Sequence, residues 1–135
     1  MRYMLLVYST EGPDGLPPEE LERIRSGHQK VMAAATQKGA LIGAEPLAPT
    51  STATTVRVRD GKTMVTDGPF AETKEHLAGY YILECANLDE AIEWAAQIPT
   101  ACFGDGGCIE IRPMRFQSES TDSSRAVQSA VSLNA

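Results

Sequence analysis

Apolar and polar residues follow one another in blocks along this chain, and the period of each block assigns it to a strand or a helix. Residues 2–8 form a short apolar run with aromatic ends, closed by a Gly/Pro-rich stretch at 11–18, which predicts a strand. Over 18–38, Leu21, Ile24, Val31, Met32 and Ala35 recur at helical spacing. Pro18 suits a first helical turn, Glu19, Glu20 and Glu22 suit the positive end of the helix dipole, and Gly39 stands where a left-handed cap belongs. His28 falls four residues after Ile24 and three before Val31, so the helix is expected to turn it inward with its apolar face. A short strand follows at 40–44, ended by Pro46. Next, Thr-Thr-Val-Arg-Val-Arg and Lys-Thr-Met-Val-Thr flank Asp60-Gly61, a two-residue turn of the primed type, which sets Val56 against Val65 and Arg59 against Lys62. Residues 79–85 predict a strand and 88–98 a helix, with Asn87 and Glu90 as a capping pair. Leu88, Ala91, Ile92, Ala95 and Ile98 are its expected buried stripe, Pro99 stops it, and 108–114 supply the last strand.

With the hairpin set aside, strand, helix, strand, strand, helix, strand is the ferredoxin-like split βαβ arrangement, an α+β fold with an inserted β-hairpin. Helices cover one face of an antiparallel sheet. Yet Met4 to Val7 and Tyr80 to Leu83 are apolar on both sides of the pleat, so the other face also needs cover, and a homodimer pairing sheet on sheet provides it. The composition changes at 117–135, a Ser-rich tail that reads as disordered or as a short docking helix built on Ala126, Val127, Ala130, Val131 and Leu133.

Length and charge narrow the function classes. The 135 residues suffice for one core, here expected over 1–116. A net charge of −6 with no basic block argues against nucleic-acid binding, since counterion release needs clustered Lys and Arg. The N-terminal apolar run is too short for a signal peptide or a membrane span. Cys85, Cys102 and Cys108 form neither an even disulfide framework nor a metal-ligand spacing, which fits reduced thiols in the cytoplasm. The Gly-rich run at 104–107 lacks the Lys-Ser/Thr ending of a phosphate-binding loop and precedes a strand.

The run Asp-Gly-Pro-Phe-Ala-Glu-Thr-Lys-Glu at 67–75, with 76–84 after it, resembles the signature of the YCII-related family in the branch named for its DGPF motif. The stretches 23–49, 87–99 and 109–114 look like the family's first helix and second strand, its second helix and its last strand. The resemblance, covering 1–116, implies a ferredoxin-like fold, dimers whose sheets form an α+β barrel, and a His–Asp pair whose positions here match His28 and, across the inserted hairpin, Asp67. It also implies a superfamily of isomerases, lyases and cofactor-free oxygenases, and a regulatory setting beside extracytoplasmic-function sigma factors.

By themselves, His28 reads first as a core histidine satisfied by a carbonyl, and Asp67 as a turn residue. Together they are the parts of an acid/base pair: a carboxylate at a strand exit fixing the tautomer of an inward imidazole. On this reading Gly68-Pro69 stiffens the exit, Phe70 is buried beneath it, and Asp67 points at His28. Glu72 and Lys74 are either a solvated polar face or the mouth of a pocket. Tyr81, like Tyr8 and Tyr80, is either a packing residue or the donor that orients a ligand. Such a site expects a small-molecule ligand and no cofactor, for an isomerisation or elimination. The other class is a non-catalytic dimeric module that binds a metabolite or a protein such as a sigma factor.

Overall fold

A computed structural model describes residues 1–10, 16–100 and 107–115. The Ser-rich tail at 117–135 and Cys102 lie outside the described residues. The elements are β1 (Arg2–Thr10), α1 (Pro18–Gln37), β2 (Leu41–Pro46), a 3-10 turn (Thr50–Thr52), β3 (Thr54–Arg59), β4 (Lys62–Asp67), β5 (Glu75–Glu84), α2 (Leu88–Ala95) and β6 (Cys108–Pro113). Strands β2-β5-β1-β6 form one antiparallel sheet in that order, and β3-β4 form a separate hairpin. Without the hairpin, the strands run 2-3-1-4 across the sheet, the ferredoxin-like arrangement. Among the described residues no helix is long and apolar enough to cross a membrane.

Local chemistry explains the element ends. Gly39, at φ 70°, takes the left-handed cap of α1, and the Ala40 N–H donates back to the Ala35 carbonyl at 2.8 Å. Asn87 accepts the Glu90 N–H at 3.0 Å while the Glu90 carboxylate accepts the Ala86 N–H at 2.7 Å, a reciprocal cap for α2. Asp60 and Gly61 adopt φ of 51° and 75°, both positive as the primed turn requires, and Val56 stands opposite Val65.

Strict alternation along β1 and β5 builds the core. Tyr3, Leu5 and Val7 with Tyr81, Leu83 and Cys85 are buried against Val31 and Ala35 of α1 and Ala91 and Trp94 of α2. Met4, Leu6, Tyr8, Tyr80 and Ile82 lie half-buried on the opposite face. The stripe expected for α2 is rotated. Ala91 and Trp94, with Ile98 beyond the helix, face the core, while Leu88 and Ile92 are each 49% exposed. Trp94 offers a larger apolar surface than either aliphatic residue, and its burial fixes the rotation of this short helix.

Strand β5 passes close to β2 at Gly79. A Cβ there would stand 2.8 Å from the Glu45 carbonyl oxygen, so only glycine permits this approach. A bulge in the β1–β5 pairing between Val7 and Tyr8 lies beside it.

Candidate active site

Helix α1 carries His28 on the same face as Ile24, Val31 and Ala35, so its ring points down toward the sheet. Strand β5 carries Tyr81 on the parity of Gly79 and Leu83, pointing up toward α1. The two meet: Tyr81 Oη and His28 Nδ1 are 2.5 Å apart, and the rings lie nearly parallel with centroids 5.9 Å apart. The Tyr81 side chain is buried, and His28 is half-buried.

Burial sets the protonation states of both groups. Desolvation holds the His28 imidazole below its ordinary value of 6.5, because a partly buried ring loses hydration on charging. The same effect pushes the Tyr81 phenol up to about 12, so it remains a neutral O–H at any physiological pH. The contact exists in two tautomers. Either the Tyr81 O–H donates to Nδ1, or Nδ1–H donates to Tyr81 Oη and leaves the Nε2 lone pair as the proton acceptor. In the second, protonation of Nε2 strengthens the bond to Tyr81, because a cationic donor bonds more strongly than a neutral one.

Asp67 makes no hydrogen bond to His28. It ends β4 opposite Thr54 and is exposed, and the hydrogen-bond partner of His28 is Tyr81. The stiff exit does exist. Gly68 adopts φ 100°, its N–H donates to the Ala53 carbonyl at 2.7 Å, and its own carbonyl accepts Thr55 Oγ1 at 2.8 Å. These bonds clasp the base of the hairpin without help from Phe70, whose ring is 79% exposed and not buried as the sequence suggested. Glu72 and Lys74 are exposed along the segment that leads into β5. Glu75 accepts the Gly107 N–H at 2.7 Å and so ties the start of β5 to the approach of β6.

Tyr81 is the partner that reasoning from sequence missed. Its role as a ligand donor was one option, but its contact with His28 joins residues 53 apart in the chain. The available signal was parity: Tyr81 shares the buried side of β5 with Leu83, directly beneath the helix face that carries His28.

Comparison with known proteins adds a family. The pattern of the YCII-related domain matches residues 1–116. An uncharacterized protein of Rhizobium meliloti (strain 1021) is 39% identical over 115 residues, which span 84% of this chain and 92% of that protein.

Proposed function

The chain belongs to the YCII-related family, and on that premise we propose that it is a proton-transfer enzyme, a cofactor-independent lyase or isomerase acting on a small carbonyl compound. The observation that carries this reading is the His28–Tyr81 contact: a half-buried imidazole, kept neutral by desolvation and oriented through Nδ1. Nε2 abstracts a proton from carbon next to the carbonyl, and Tyr81 Oη accepts from the imidazolium so formed. The same proton returns to another carbon in an isomerisation, or stays on His28 while a leaving group departs in an elimination. In this reading Tyr81 takes the orienting role expected of Asp67, and Asp67 serves the hairpin exit. The Asp67-Gly68-Pro69-Phe70 run supports assignment to the DGPF-motif branch, and a homodimer joined through the open sheet face in the cytoplasm completes the proposal.

The test is solvent exchange. A panel of small ketones, enones and keto acids is incubated with the protein in D2O, and deuterium entering the α-carbon is followed by NMR. Exchange with wild type that is lost in His28→Gln supports the reading. Equal exchange with both proteins, or none with either, removes it. A second reading, a non-catalytic dimeric module in a sigma-factor-linked regulatory setting, is favoured by the exposed apolar side chains of the hairpin, and it predicts that His28→Gln leaves binding of its partner intact.

A further inference from the structure

The hairpin is a two-sided ribbon. Because cross-strand partners share a face, Val56, Val65 and Val58 with Thr63 line one side, while Arg57, Met64, Arg59 and Lys62 line the other. Every cation of the hairpin is on one face and every valine on the other. A two-stranded ribbon with both faces in water is at best marginally stable, and segregation of this kind is the pattern of a strand pair with one dry face. Yet Val56, Val58 and Val65 are 58%, 68% and 65% exposed, and the main sheet gives the hairpin no strand partner.

We infer that the valine face of the hairpin is an arm that packs on a second copy of this chain. The inference rests on the homodimer proposed above and extends its interface. A stable dimer needs about 800 Å2 of buried surface per partner. Met4, Leu6, Tyr8, Tyr80 and Ile82 of the open sheet face are already half-buried within their own chain, so each offers a partner a smaller share of its surface than the hairpin valines do. Among the described residues, Phe70, Val58, Val65 and Val56 are the four most exposed large hydrophobic side chains, and they are contributed by the hairpin and its exit. The valine face carries no charge until Asp67 at its base, so it fits an equally uncharged apolar surface. The three cations point the other way, where they keep the outer side of the arm in water. The positive φ of Gly61 and the clasp at Gly68 hold the arm extended, so that little order is left to impose on association.

Two adjacent substitutions on β3 separate the faces. Val58→Asp puts a carboxylate on the valine face, and Arg57→Asp puts one on the cationic face. Both sites are exposed in the isolated chain, so both variants keep the fold, which circular dichroism verifies. Dimer dissociation is measured by analytical ultracentrifugation over a dilution series. The arm predicts that Val58→Asp weakens the dimer by about 30-fold or more, while Arg57→Asp changes it by less than about threefold. A wild-type dimer whose affinity Val58→Asp leaves unchanged, or which both variants weaken equally, overturns the arm and leaves the sheet-face dimer standing. A wild-type chain that stays monomeric at micromolar concentration overturns both.

Discussion

Replacing Tyr81 by Phe removes one oxygen atom and, with it, the hydrogen bond to His28 Nδ1. The ring stays, so the packing against the core and the parallel placement of the two rings are preserved, and the loss is confined to one polar contact. A net hydrogen bond is worth about 0.5–1.5 kcal/mol, and leaving a buried polar group unpaired costs about 1–3 kcal/mol. His28 is only half-buried, so water reaches the freed nitrogen in part and the lower end applies. Tyr81→Phe is therefore expected to cost about 1–2 kcal/mol, a fall in Tm of roughly 3–8 °C for a domain of this size. The assay is urea denaturation at a fixed protein concentration, because a dimer's apparent stability varies with concentration. A double-mutant cycle with His28→Leu isolates the pair, and its coupling is expected near 1 kcal/mol. A Tyr81→Phe protein within about 0.3 kcal/mol of wild type, or a cycle that is simply additive, would refute the contact on which the site depends.

Three further outcomes follow from the geometry. Gly79→Ala should destabilise by about 1–3 kcal/mol in denaturant titration, because the added methyl meets the Glu45 carbonyl oxygen at 2.8 Å and backbone must move; unchanged stability would show that β2 yields freely. Gly61→Val should cost roughly 1 kcal/mol or more and speed amide exchange within the hairpin, since φ of 75° disfavours a β-branched residue; unaltered exchange would contradict the turn. At high pH the unfolded chain loses the Tyr81 proton near 10.0 while the folded chain holds it to about 12, so stability should fall across that interval as pH rises. Tyr81→Phe should flatten that fall, and identical alkaline curves for the two proteins would argue against a desolvated phenol.

What the sequence disclosed depends on how local the cause was. The hairpin register was legible because Asp60-Gly61 admits the paired positive φ values that fix it. The ends of α1 and α2 were legible for the same reason: Gly39 and the Asn87–Glu90 pair act within one turn of the residues they cap. The rotation of α2 was not legible, because Ala91 and Trp94 recur at helical spacing as well as Leu88 and Ile92 do, and only the shape of the sheet beneath selects between them. Periodicity turned His28 inward but could not name its neighbour, which depends on how α1 crosses β5. Phe70 shows the remaining limit. A lone aromatic after a stiff turn is buried or exposed according to what lies opposite, and no nearby residue encodes that.

The titration of His28 tests the account most directly. Ring-proton NMR resonances of wild-type protein are followed from pH 4 to pH 9, with His28→Gln identifying the signal. Desolvation beside a neutral Tyr81 predicts a midpoint below 6.5, with the imidazole uncharged at neutral pH and available as a base. The sign carries over to stability: the unfolded chain takes up this proton first, so as pH falls below 6.5 the His28 contribution to folding declines. A midpoint at or above 6.5 would mean that a carboxylate such as Asp67 stabilises the imidazolium, and it would contradict the site described above.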